Sequence, residues 1–414
     1  MDEVDLLDSQ MYVDGFPHDR YAELRAQGPI HRHVVTRVQS PLSGAEETMG
    51  FWCVLGQPEI QQVNRDWTTF SAGHGPTIPR QPPGGAGMLG VDPPEHHRLR
   101  QLVSAGFTPR MVGRLEDRIG YWVDRLLDDI ADRGDTCDFV AELAFPLPMH
   151  VIADIIGIPE ADRPWVFERT VLVLDGLDPS LAAHQADQQA AQVELYEYAH
   201  QLGVEKRARP TDDVWSTLIA AQYAADDGQA TSLEEFEVDV FFLILSIAGS
   251  ETTRTALSGG LLGLLEHPDQ LDRLRSDPER FATLPDEILR WSSPVLSFSR
   301  DCESTTEVAG VTIEEGERVV MFFPSGNRDE RVFERPFELD VGRDPNPHVA
   351  FGGGGPHYCL GANLAKREIL VLFRELIDRH RTIEQAGAPE WTGPGPISNV
   401  GCHVEHLPVR LERA

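Results

Sequence analysis

The sequence predicts a mainly α protein with small β-sheets, folded as one interdependent unit over residues 1–414. Three observations carry that expectation. From Glu116 onward, long polar–apolar stretches such as Val193 to Lys206 and Pro268 to Arg275 alternate with short Pro or Gly punctuation. Strand-like segments are few: Gly50 to Leu55, Ser304 to Ile313 and Arg318 to Phe323, where β-branched and aromatic residues lie between turn residues. No repeat, low-complexity tract or composition break marks a linker, although length alone would allow two or three domains.

In chain order, Ser71 to Gly90 is rich in Gly and Pro and reads as a long loop of the kind that forms lids or binding segments, as does Gln385 to Pro396. Asp92-Pro-Pro-Glu-His96-His-Arg-Leu-Arg100 puts His96 and Arg100 one helical turn apart on one face, two donors suited to a carboxylate, with His97 as a substitute if the register slips. Without further context an exposed polar helix start is an equal reading.

A helix is expected from Ser232 to Leu265. Ser232-Leu-Glu-Glu235 matches a capping box, and Val238, Phe241, Phe242 and Leu245 keep helical spacing before the pattern turns apolar nearly all round, as in a core helix. Its small residues Ala248 and Gly249 would let a large ligand approach the backbone, and Glu251 and Thr252 follow at once. Glu287-Ile-Leu-Arg290 sets a carboxylate and a guanidinium at i, i+3, commonplace alone.

Phe351-Gly-Gly-Gly-Gly-Pro-His-Tyr-Cys359-Leu-Gly361 runs into a helical pattern, Ala362 to His380, with Ile369, Leu372, Phe373 and Leu376 on one face. Cys359 therefore falls at or just before a helix N-terminus, where the dipole and unpaired N–H groups favour a thiolate. Glycines beside it would let a flat bulky group approach the sulfur. A Gly-rich turn with a buried cysteine is the plainer reading. As a metal site the segment offers one thiolate; zinc and iron–sulfur clusters need several protein ligands, whereas haem iron needs one axial thiolate.

Composition narrows the partners. The chain has 36 Lys+Arg against 67 Asp+Glu, a formal net charge of −31, which argues against nucleic acid and anionic membrane surfaces. The 5 cysteines (Cys53, Cys137, Cys302, Cys359, Cys402) are scattered and form no Cys-x-x-Cys, as expected of reduced thiols in a cytoplasm. The acidic start Met1-Asp2-Glu3-Val4-Asp5 lacks signal-peptide order, and the most apolar run, Phe241 to Ala248, is too short to span a bilayer. No Gly-x-Ser-x-Gly elbow appears, and Gly352 to Gly355 follows no βαβ pattern.

The Cys359 segment resembles the haem-binding loop of the cytochrome P450 family, Phe-Gly-x-Gly-x-His-x-Cys-x-Gly, in a form lengthened by one residue that is familiar in a bacterial branch hydroxylating sterols and methyl-branched lipids. The resemblance implies a single-domain P450 fold with haem b between the long central helix and the Cys loop. It implies Cys359 as axial thiolate and Phe351, Gly361, Ala248 and Gly249 around the haem. Its propionates would meet His96, Arg100, Arg300 and His357. Glu251 and Thr252 match the acid–alcohol pair that relays protons toward dioxygen. Glu287 and Arg290 match the structural Glu-x-x-Arg; alignment puts Glu338 where many relatives carry a third arginine.

By family position, substrate would meet the Ser71 to Gly90 loop, residues near Trp165 to Leu177, Phe241, Leu245, Ala248, Val295, Leu296, Phe298 and the turn around Val400, a mostly apolar set suiting a steroid, terpenoid or lipid, though each could equally be a core residue. The implied activity is insertion of one oxygen atom of O2 into a C–H bond, with electrons from a ferredoxin and its reductase docking near Lys366 and Arg367. Two alternatives are a tailoring hydroxylase acting on a carrier-bound amino acid or other natural-product intermediate, and a non-catalytic haem sensor.

Overall fold

The structure, a computed structural model, describes residues 4–39, 46–83, 87–104, 109–175, 185–224, 230–392 and 402–413. Helices dominate it, the longest being Pro109–Arg133, Gln185–Ala208, Glu235–Glu266 and Ala362–Arg379. The chain divides into two compact units, each discontinuous in sequence. The first comprises Met1–Asp92, Thr255–Ala362 and Ala388–Leu407; the second comprises Pro93–Arg254, Asn363–Gly387 and Pro408–Ala414. Helix Glu235–Glu266 contributes to both, the boundary falling at Arg254/Thr255.

The first unit is built on a 5-stranded sheet in the spatial order Ile30–Gln39, Glu46–Val54, Arg318–Phe322, Ser297–Cys302, Phe70–Ser71. Arg318–Phe322 runs parallel to Glu46–Val54 and antiparallel to Ser297–Cys302, so it is buried on both faces and reads as an unbroken apolar run after its arginine. Side chains alternate as a period of two requires: Phe51, Cys53, Val320 and Phe322 join one apolar cluster, Val54, Val319 and Met321 another. Ser304 to Ile313 is a hairpin of two short strands, Thr306–Val308 and Val311–Ile313, rather than one strand. Its turn residues Ala309 and Gly310 both have positive φ, 48° and 79°, the two-residue geometry that matches strand twist.

In the second unit a 3-stranded sheet orders His380–Gln385, Pro408–Arg413 and Thr136–Asp138. The central helix begins at Glu235 rather than Ser232. The reciprocal cap is displaced with it: Glu234 N–H donates to the Glu237 carboxylate at 2.8 Å. By length and composition this helix could cross a membrane, yet 61% of its apolar window is buried within the protein, as in a core helix.

Candidate active site

In the first unit, Cys359 lies three residues ahead of helix Ala362–Arg379 and is the one exposed cysteine; Cys53, Cys137, Cys302 and Cys402 are buried. Burial pushes the Cys137 and Cys402 thiols up to about 12, and raises Cys53 as well. The loop before Cys359 closes on itself. Cys359 N–H donates to the Phe351 carbonyl at 3.2 Å, and the Phe351 ring, itself buried, meets Tyr358 edge-on.

Gly352, Gly353, Gly354 and Gly355 all have positive φ, between 72° and 117°, a run only glycine sustains. Their missing side chains face helix Gln57–Arg65. A Cβ on Gly355 would come within 2.1 Å of the Asn64 carbonyl, one on Gly354 within 2.6 Å of Arg65, and one on Gly353 within 3.0 Å of Gln61. The glycines serve the seating of the loop on that helix, a different reason from ligand approach. Gly361, by contrast, has open space beside it.

Arg300 projects from strand Ser297–Cys302 and is only 3% exposed. Its guanidinium donates to the Ser299 carbonyl at 2.7 Å and to Asn64 Oδ1 at 3.0 Å, and among the described residues it makes no ion pair. Burial lowers its pKa to about 10 against the opposing pull of Asp92. Its neighbour Asp301 is committed elsewhere, to Arg318 at 2.7 Å and Arg80 at 2.8 Å, and Arg318 also donates to the Gly75, Thr77 and Ile78 carbonyls, strapping down the Ser71 to Gly90 loop. Leu296 is fully packed with Ile78 and Phe322, whereas Val295 and Phe298 are half-buried.

Glu287 and Arg290, both 0% exposed, form a two-point pair at 2.7 and 2.8 Å. The third arginine is Arg343, whose Nε lies 3.1 Å from Glu287 Oε2. Glu338, which alignment put in that place, supplies its backbone carbonyl to both Arg290 and Arg343, while its side chain pairs with Arg335 at the surface.

In the second unit, the central helix carries Phe241, Leu245, Ala248, Gly249, Glu251 and Thr252. Phe241 is buried and stacks on Trp215 at 6.0 Å, a core contact, while Leu245 is half-buried and Ala248 exposed. A Cβ on Gly249 would meet Ile152 Cδ1 at 2.5 Å, so that glycine is required where helix Pro146–Ile156 packs against the central helix, whatever else it borders. Glu251 is buried 3.0 Å from Arg254. Thr252 Oγ1 donates to the Ala248 carbonyl at 2.8 Å, which leaves the hydroxyl oxygen able to accept.

Helix Glu95–Ser104 buries His96 at 1% exposure and leaves His97 exposed; Arg100 is half-buried. Arg98 ties that helix to the start of the central one through Glu237. Val400, residues 176 and 177, residues 84–86 of the first loop and residues 393–396 of the second lie outside the described residues.

The cytochrome P450 profile matches residues 285–395. A cytochrome P450 126 of Mycobacterium tuberculosis (strain ATCC 25618 / H37Rv) is 40% identical over 99% of this chain and 97% of its own length. The chain belongs to the cytochrome P450 family. A steroid C26-monooxygenase of Rhodococcus jostii (strain RHA1) is 37% identical over 97% of this chain and 87% of its own length. The solved structure of Mycobacterium marinum cytochrome P450 CYP268A2 in complex with pseudoionone has a TM-score of 0.86 at 35% identity, covering 99% of this chain and 100% of that one.

This P450 is a haem-thiolate monooxygenase whose cofactor is haem b. Its residues fit that group. Arg300, a buried guanidinium that makes no ion pair among the described residues, suits an anionic group such as a propionate, and the exposed thiol of Cys359 could supply the one ligand that haem iron requires. Asn64, Arg254 and Arg343 are absent from the sequence reading. Arg254 was legible in principle, since Glu251-x-x-Arg254 repeats the i, i+3 spacing of Glu287 and Arg290.

Proposed function

We propose that this P450 hydroxylates a C–H bond of an apolar steroid, terpenoid or lipid, acting as a single haem-thiolate domain over residues 1–414 in the cytoplasm, with a ferredoxin and its reductase as electron donors. The observation that carries the site assignment is Cys359, exposed on the family's loop immediately ahead of an 18-residue helix. Haem b supplies an iron centre at which dioxygen is activated, one oxygen atom going to substrate and the other to water.

The chain's own residues prepare that chemistry. Cys359, beside the positive end of helix Ala362–Arg379, would hold the haem iron as a thiolate. Arg300, His357, His96 and Arg100 would hold the propionates as charge-assisted donors. Glu251 receives protons and Thr252 hands them on: the hydroxyl, anchored by its own donated bond to Ala248, keeps an acceptor lone pair for an incoming proton donor. Arg254 holds the Glu251 carboxylate in place. A non-catalytic sensor has no need of that acid–alcohol pair.

For the substrate, support comes from the steroid monooxygenase at 37% identity and from the apolar character of Leu245, Val295 and Phe298. Titration of the ferric protein with steroids, terpenoids, fatty acids and acyl or aminoacyl carrier proteins, read as the low-spin to high-spin shift of the Soret band, tests it. A response to a steroid, terpenoid or free lipid supports the reading. A response confined to carrier-bound ligands would replace it with the tailoring role.

A further inference from the structure

We propose that Asn64 is a positioning residue that joins the propionate-binding arginine to the thiolate loop. Its side chain is 3% exposed at the end of helix Gln57–Arg65 and uses both ends of its amide. Oδ1 accepts from Arg300 Nη2 at 3.0 Å, and Nδ2 donates to the Gly352 carbonyl at 2.6 Å. The Asn64 backbone reinforces the link, since Gly355 presses against its carbonyl so closely that no side chain fits between them. Arg65 adds a bond to the Gly353 carbonyl at 3.1 Å. The lengthened glycine run is thus the surface on which Asn64 grips the loop, and the extra residue gains a purpose.

The amide is the chemistry such a bridge demands. An aspartate would accept from Arg300 but face the Gly352 carbonyl with a second acceptor, and it would neutralise the guanidinium that an anion needs. A leucine would take the Asn64 partner from Arg300 Nη2 and from the Gly352 carbonyl, leaving the guanidinium its bond to the Ser299 carbonyl alone. Asn64 supplies one acceptor, one donor and no charge, so Arg300 stays a cation available to a propionate while its guanidinium plane is fixed relative to Cys359.

The inference rests on Arg300 contacting the cofactor, and the test separates the two. Wild-type protein must first show the red-shifted carbon monoxide band of thiolate ligation; its absence would overturn the haem assignment rather than the bridge. Haem transfer to excess apomyoglobin is then measured for wild type, Asn64→Leu, Arg300→Lys and the double variant, with Asn64→Asp in place of Asn64→Leu should the latter not accumulate. Each single variant should release haem about tenfold faster, ~1.4 kcal/mol, and the double variant no faster than Arg300→Lys alone. Asn64→Asp should also lower the haem reduction potential and increase the share of the carbon monoxide complex lacking the thiolate band, neither of which a purely structural role would move. Additive release rates, or an Asn64→Asp protein with wild-type potential and band, would overturn the proposal.

Discussion

The Glu251 carboxylate lies 3.0 Å from the Arg254 guanidinium one turn further along the central helix, with both side chains largely buried. A buried carboxylate beside a cation is held in one orientation, and the residue that follows it in the chain, Thr252, carries a hydroxyl whose own proton is committed to the Ala248 carbonyl. Thr252→Ala should keep the haem spectrum while electrons are diverted to peroxide. Arg254→Leu should slow product formation by roughly tenfold, with Arg254→Lys restoring most of it. Unchanged product-to-electron ratios in Thr252→Ala would remove the relay.

The stability of the first unit leans on Glu287. It accepts from Arg290, Arg343, Asn346 and the Asp340 amide, all in a site with no exposure of its own. Breaking a buried pair by removing one partner strands a charge, so Arg343→Met should cost about 3 kcal/mol in denaturant unfolding. Glu338→Ala, which leaves the carbonyl in place and removes only a surface pair, should stay within about 0.5 kcal/mol of wild type. Equal effects would return the third arm to position 338.

Glu368 is 1% exposed on helix Ala362–Arg379, and burial pushes its carboxyl up to about 8. A folded-state value above the unfolded one means that the native protein holds this proton more tightly. Its stabilising share is complete below the unfolded value near 4.5 and is lost as pH rises toward 8. Unfolding free energy should therefore carry a falling contribution of about 1.4 kcal/mol per pH unit across that window. Glu368→Gln should remove that slope and be the more stable protein at pH 8. A slope identical to wild type would show the carboxyl to be ionised.

Arg367 pairs with Glu116 at 3.0 Å where both side chains are well exposed. Exposed pairs of this kind contribute little, so an acidic partner can take the cation over. On a chain of net charge −31, Lys366 and Arg367 are minority cations close after Cys359. Reversing both to glutamate should slow ferredoxin-driven reduction and flatten its salt dependence. Undiminished reduction at low salt would place docking elsewhere.

Much of the candidate site was legible because its chemistry is local in sequence. Phe351, His357 and Cys359 fall within one loop, and Glu251 and Thr252 are adjacent. What the sequence could not disclose is pairing at long range. The Asn64–Arg300 bond spans 236 positions, and Gly249 answers to Ile152 on another helix. Arg343 lies in an irregular segment where no periodicity guides alignment, which is how Glu338 came to stand in its place. The hairpin at Thr306–Val308 and Val311–Ile313 was missed because Ala309 takes a left-handed conformation that its residue type does not announce. The helix start moved by a few residues because Glu234 and Glu237 compete with Ser232 for the same capping geometry.

The central claim is that Cys359 sulfur ligates haem iron, and absorption of the reduced protein under carbon monoxide tests it most directly. Wild type should give the red-shifted Soret band of a thiolate-bound haem, and Cys359→Ser should lose both that band and hydroxylation. A wild-type spectrum without the band, together with a Cys359→Ser protein that still turns over, would contradict the account.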